Sequence, residues 1–177
     1  MPSRRSRGAA APRASAPRRR ADPFVVRRAS LADERAVFAL WRETDALHAR
    51  LRPDFFRAGS GREPARFPRL VAGAHELLLV AERAGAVIGL LHATLEDTPP
   101  TPEMAPRWRL HVADLVVTRD CRRLGIGRAL VEHAEAWGRA RGAEQLVLTV
   151  WSGNRTAERF YRALGLLPVA RVLAREL

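Results

Sequence analysis

At 177 residues the chain fits one domain with a sizeable core, and its net charge of +12 first suggests a polyanionic partner. The distribution argues otherwise: residues 1–20 hold seven arginines and no acid, so 12 − 7 leaves +5 for the rest, and all 31 basic residues are arginine amid abundant alanine. That pattern reads as GC-rich coding rather than selection for DNA or RNA, which sets specific nucleic-acid binding aside; no apolar run of membrane length or signal-peptide core occurs, so a cytoplasmic protein without membrane contact is expected.

In chain order, residues 1–22 are arginine, alanine, serine and proline without hydrophobic periodicity, and a disordered tail is expected there. Prolines at 2, 12 and 17 spoil the amphipathic helix of a transit peptide. The folded domain is expected over residues 23–177. Residues 24–28 read as a strand; Ser30 and Asp33 resemble a capping box, and Val37, Leu40 and Trp41 continue a helix to about His48. Arg52 and Pro53 stop it. A loop over 51–61 carries Phe55 and Phe56, and residues 64–74 read as a second helix. Strands at 77–82 and 87–95 are joined by the hairpin turn Ala84-Gly85. Prolines 99, 100, 102 and 106 make residues 98–107 a loop, before a long strand over 108–117.

After that strand comes Thr118-Arg119-Asp120-Cys121, then Arg122-Arg123-Leu124-Gly125-Ile126-Gly127-Arg128 leading into a helix with Ile126, Leu130, Ala134 and Trp137 on one face. Gly142 follows Arg139 and Arg141 at its end. Residues 145–151 read as a strand, Asn154 to Gly165 as a short capped helix, and 168–175 as an edge strand, with Val169, Arg171, Leu173 and Arg175 alternating against Ala170, Val172 and Ala174. Cys121, the only cysteine, excludes an internal disulfide, fits a reducing compartment and reads as an idle loop thiol. The five histidines, at 48, 75, 92, 111 and 133, share no metal-ligand spacing, so no metal is expected.

The strand-loop-helix at 114–130 has the chemistry of a phosphate site. The first amides of a helix lack internal partners and carry the positive end of its dipole. Gly125 and Gly127 remove side chains from the approach, and Arg122, Arg123 and Arg128 add forked cationic donors. The dinucleotide fingerprint is not completed, since Leu130 stands where its third glycine belongs, and a P-loop is excluded because the chain has no lysine.

Together, Arg122-Arg123-Leu124-Gly125-Ile126-Gly127 and the pattern Asn154-x-x-Ala157-x-x-Phe160-Tyr161-x-x-Leu164-Gly165 resemble the GNAT N-acetyltransferase superfamily, from about Phe24 onward. Leu124 departs from the glycine, lysine or serine frequent there. The resemblance implies an α/β (α+β) fold: a mixed, mostly antiparallel sheet of six to seven strands, about four helices, and parallel fourth and fifth strands that splay apart. It implies acetyl-CoA as co-substrate, with the pantetheine arm pairing along Leu115, Val116 and Val117. The pyrophosphate would lie over the amides from Arg123 to Arg128, with Arg122 beside it, Asn154 and Ala157 flanking the pantetheine, and an amide near Val116 stabilising the oxyanion. The implied reaction is direct acetyl transfer to a primary amine, on a small molecule, an antibiotic or a peptide. A homodimer is compatible with the resemblance, and the alternative is a module that senses CoA without turnover.

An amine nucleophile must lose its proton. Asp114 is the first candidate to accept it, with Glu96 and Asp97 in reserve. An unbroken two-residue period sets Asp114 on the opposite face from His111 and Ala113. Tyr161 is the candidate general acid for the departing thiolate, two helical turns past Asn154 on the same face.

Overall fold

A computed structural model describes residues 23–57, 62–98 and 107–175. Among these, five strands form one sheet in sequence order: β1 (Val25–Arg28), β2 (Glu76–Arg83), β3 (Ala86–Asp97), β4 (Trp108–Val117) and β5 (Gln145–Leu148). Neighbours pair antiparallel from β1 to β4, and β5 runs parallel to β4. The hairpin between β2 and β3 follows from two residues: Ala84 (φ 49°) and Gly85 (φ 76°) both adopt the left-handed backbone that matches strand twist. Helices α1 (Glu34–Leu51) and α2 (Phe67–Ala72) cover one face of the sheet, α3 (Ile126–Arg139) covers the other, and α4 (Arg155–Ala163) follows β5.

Each face has its own core. Val37, Leu40, Trp41 and Phe67 pack on Leu78, Val80, Leu90 and Val116. On the opposite face Ile126, Leu130, Val131 and Ala134 pack on Leu77, Leu79, Leu91, Leu110 and Val112. The Ser30–Asp33 turn forms as expected, the Ser30 amide donating to the Asp33 carboxylate at 2.7 Å. Arg27 locks it with two further bonds of 2.8 Å, and these hold the Asp33 carboxyl well below the usual carboxylate range. No helix of the described residues is long and apolar enough to cross a membrane.

A bulge in β4 reorganises the site. His92 pairs with Asp114, but the next β3 residue, Ala93, pairs with Val112, which leaves Ala113 as an extra residue. The strand therefore changes phase: Leu110 and Val112 face α3 before the bulge, and Leu115 and Val117 face it afterwards. Asp114 consequently shares the α1/α2 face with His111, His92 and Thr94. The expectation that Asp114 and His111 oppose each other rested on an unbroken period and is corrected here.

The strand count also differs. Residues 168–175 form no strand, and their apolar side chains stand in solvent, so the described sheet has five strands rather than six to seven. The second helix begins as a single 3-10 turn (Pro64–Arg66), and β5 stops at Leu148 where the chain leaves β4. The expectation of a disordered 1–22 tail, and most of the proline loop, lie outside the described residues.

Candidate active site

The loop after β4 wraps tightly. A 3-10 turn (Arg119–Cys121) is followed by Arg123 (φ 66°) and Gly125 (φ 83°), both left-handed, and Gly125 is the residue at which α3 begins. Ile126 then plugs the core at 1% exposure, which anchors the helix start. A Cβ on Gly125 would meet nothing within 4 Å, so the space before the first α3 amides is open. Gly127 has a different reason to be glycine: a Cβ there would lie 3.1 Å from the Phe160 ring, so its bareness seats α4 against α3. Arg122 donates to the Val117 carbonyl (3.1 Å) and Arg128 to the Ala163 carbonyl at the end of α4 (3.4 Å). Arg123 and Leu124 are exposed on the rim, and Cys121 packs against the α3 core.

The parallel pairing runs from Arg109↔Gln145 to Val112↔Leu148 and stops, whereas β4 continues to Val117. From Ala113 onward, including Leu115, Val116 and Val117, the β4 edge facing β5 has no strand partner among the described residues. This is the splay, with α4 beside it. Asn154 caps α4, its side-chain oxygen accepting from the Ala157 amide at 3.1 Å. The half-buried residues of α4 are Ala157, Phe160 and Tyr161, with Leu164 just past its end. Burial, and then the negative charge of Asp114, push the Tyr161 hydroxyl up to about 12, so it keeps its proton at neutral pH. Its hydroxyl forms no hydrogen bond with the described residues.

Asp114 lies at the centre of a polar strip on the α1/α2 face. It is 7% exposed. Arg62 donates to both its oxygens (2.8 and 2.9 Å), and the Trp41 indole donates to Oδ2 at 3.0 Å. Arg62 also stacks over the Trp41 ring, 4.6 Å from its centroid, and reaches Asp45 at 3.4 Å. His92 Nδ1 lies 3.7 Å from Asp114, while its Nε2 meets Glu76 at 2.8 Å. Burial alone would push the Asp114 carboxyl up, but His92 and Arg62 outweigh it and hold it at about 2. Burial likewise opposes the charge on His92, and the two carboxylates overcome it, raising the imidazole above its ordinary value. A carboxylate held by three donors at that pKa is a weak base, which does not suit the proton-accepting role expected of it.

The reserve residue fares better. His111 Nδ1 lies 3.0 Å from Glu96, and the bulge puts this pair on the same face as Asp114. Both are part-exposed, so water reaches them. Asp97 ends β3 opposite Trp108, further from the splay. Phe55 and Phe56 neither fill the core nor stand alone: both rings contact Trp151 just past β5 (5.0 and 4.8 Å between centroids), and Phe56 also meets His48. Sequence reasoning passed over Trp41, Arg62, Glu76 and His92. The available signal was a polar His92 inside an otherwise apolar strand.

The strand thus ends in a glycine loop over a helix N-terminus, and the splay beside it is flanked by a capped helix and a half-buried tyrosine. The chain belongs to the acetyltransferase (GNAT) family, whose family model matches residues 41–166. Among solved structures, a single-site variant of the BH1408 protein of Bacillus halodurans is 28% identical at a TM-score of 0.82, covering 86% of this chain and 99% of that one. The aminoglycoside N-acetyltransferase AAC(6')-Iy in complex with CoA shares the fold at 14% identity and a TM-score of 0.67, covering 86% of this chain and 98% of that one. So does an aminoglycoside acetyltransferase from an uncultured soil metagenomic sample in complex with sisomicin, at 17% identity and a TM-score of 0.63, covering 87% and 95%. No curated protein matches the sequence.

Proposed function

We propose that this protein transfers an acetyl group from acetyl-CoA directly to a primary amine of a small molecule, within a ternary complex. The observation that carries this reading is the free half of β4 opening beside Tyr161, continuous with the open glycine loop at the start of α3. Leu115 to Val117 offer backbone groups to the pantetheine amides, and the amides from Arg123 to Arg128 face the pyrophosphate. Asn154 and Ala157 line the α4 side of the arm.

The amine, freed of its proton, attacks the thioester carbonyl, and an amide near Val116 stabilises the oxyanion. The carbon–sulfur bond breaks, Tyr161 gives its proton to the departing thiolate, and the proton still carried by the attacking nitrogen passes through water to restore the tyrosine, leaving the neutral amide and free CoA thiol. We assign proton removal to the His111–Glu96 pair acting through water, because the two side chains meet at 3.0 Å, are both reached by solvent and share the sheet face of Asp114. Asp114 positions Arg62, Trp41 and His92 instead. A small-molecule acceptor is favoured by the aminoglycoside acetyltransferases that share the fold.

The test is a panel of amines incubated with acetyl-CoA, read by release of free thiol. Thiol release dependent on an amine is expected. Tight CoA binding in calorimetry with no thiol release from any amine would instead identify a sensor that does not turn over.

A further inference from the structure

Three aromatic rings meet beside the splay, and the catalytic steps do not use them. The turn that ends α1 holds Phe55 and Phe56, both amides donating to the Arg52 carbonyl (3.1 and 2.8 Å). Their rings contact Trp151, with centroids 5.0 and 4.8 Å away. Trp151 lies three residues past the end of β5, and its carbonyl accepts from the Asn154 amide at the start of α4 (3.1 Å). The cluster thus bridges the end of α1 and the α4 side of the splay. Core packing does not account for it: Phe55 is 63% exposed, and none of the three rings belongs to either core. A contiguous exposed aromatic patch beside a cleft marks a recognition surface.

The patch lies on the side left to an incoming amine. α3 covers one sheet face and its first amides are the proposed seat of the pyrophosphate, which leaves the α1/α2 face for the acceptor. α1 runs over that face and presents Phe55 and Phe56 at its end. The carboxylates there are already paired: Asp114 and Asp45 share Arg62, Glu76 meets His92, Glu96 meets His111, and Asp54 holds Arg52. Arg52 in turn lies over the Phe55 and Trp151 rings, 5.9 Å from each centroid. A polycation needs several free carboxylates, and none of these five is free. A flat apolar body needs ring faces and edges, which the cluster supplies.

We infer that Phe55, Phe56 and Trp151 receive the acceptor, and that the acceptor is an arylalkylamine: one primary amine on a short arm from an aromatic body. This rests on the acetyl transfer proposed above and narrows its acceptor. The body packs on Phe55 and Trp151, and the arm carries the nitrogen toward the point where β5 leaves β4. The acetyl carbon leaves the CoA sulfur and bonds that nitrogen, while one proton of the neutral amine ends on the CoA thiol. A polycationic aminoglycoside is a poor fit to this lining, although aminoglycoside acetyltransferases share the fold.

Steady-state kinetics on the full chain, with acetyl-CoA and free-thiol release, test this on phenethylamine, ethylamine and sisomicin. The kcat/KM for phenethylamine should exceed that for each of the others by at least about tenfold. Phe55→Ala removes a ring that stands mostly in solvent, so the fold is retained. It should raise KM for phenethylamine by about tenfold, with kcat and the KM for ethylamine each changing by less than about twofold. Phe55→Tyr, which keeps the ring, should restore the KM. Equal kcat/KM for phenethylamine and ethylamine, a preference for sisomicin, or a phenethylamine KM indifferent to Phe55→Ala overturns the inference and leaves acetyl transfer standing. Calorimetry of phenethylamine on the CoA-loaded protein covers the remaining case. With no thiol release from any amine, binding lost in Phe55→Ala removes acetyl transfer and keeps the ring site, whereas no binding at all overturns both.

Discussion

The two helices that flank the splay are built to different standards. On α3, Ile126, Leu130, Val131 and Ala134 are each no more than 1% exposed, and the helix fills the core of one sheet face. On α4 no residue is buried. A helix of nine residues is not stable alone in water. What holds α4 is the Asn154 cap, the seat of Phe160 on Gly127, and the Arg128 bond to the Ala163 carbonyl. Two of those three attachments come from α3. The glycine loop thus stands on the core, while the proposed acid stands on a helix that borrows its position. Regions with few buried contacts open at lower free-energy cost, so α4 should move where α3 does not.

The largest expected effect falls on the α4 side. Tyr161→Phe keeps the ring and removes the hydroxyl, so turnover should fall by roughly 10²–10⁴ with little change in acetyl-CoA affinity. Turnover within a factor of about two of the parent, with chemistry rate-limiting, would make the tyrosine a packing residue. Leu130→Ala should act on the opposite side and in the opposite currency: a loss of about 2–5 kcal/mol in unfolding free energy, read by denaturant titration, because Leu130 is fully buried. If the two helices were equivalent supports, an exposed-side truncation such as Arg159→Ala would cost as much.

Gly127→Ala sharpens the contrast because its two consequences have opposite signs. An alanine inside α3 gains up to about 1 kcal/mol of helix propensity. Its Cβ would also press on Phe160 at 3.1 Å and move the residue beside Tyr161. The melting temperature should hold or rise while turnover drops by about tenfold or less. A parallel fall in both would mean α4 and α3 respond as one body.

Much of this was legible in the sequence, for local reasons. The Ala84-Gly85 turn, the β4 bounds and the Asn154 cap each depend on a few adjacent residues, and the structure places them as expected. The strand-to-helix loop belongs with them, since Gly125 adopts the left-handed backbone that glycine favours. Gly127 was read as clearance for phosphate, but its clearance serves Phe160, thirty-three positions on in the sequence, a contact no local pattern reports. The bulge at Ala113 escaped because neither glycine nor proline marks it, and a single extra residue reverses which side chains share a face. Arg62 was missed for the same reason of distance: it meets Asp114 across 52 positions, from a segment that reads as loop. Residues 168–175 have a strand's pattern but no partner within the described residues, and pattern alone cannot supply one.

The smallest expected effect separates the two carboxylate assignments. Asp114 has a folded pKa of about 2 against an ordinary 3.8. Its ionised form is favoured by folding, so its contribution to stability is present above 3.8 and is lost as pH falls through about 2. Across the range from about pH 5 to 9 where such enzymes are assayed, the group does not change charge, and it cannot generate a limb of the rate profile. Asp114→Asn should therefore lower stability, by leaving Arg62 poorly paired, without moving the acid limb of kcat/KM. His92 supplies the internal control. Its imidazole is raised with help from Asp114, so in the variant its NMR titration should shift to lower pH. His111→Asn, by contrast, should lower kcat/KM by roughly 10²–10⁴ across that range, since it deletes the group assigned to the proton. If kcat/KM instead collapses in Asp114→Asn while His111→Asn keeps it, the proton belongs to Asp114 after all, and the Arg62 clamp must open during turnover.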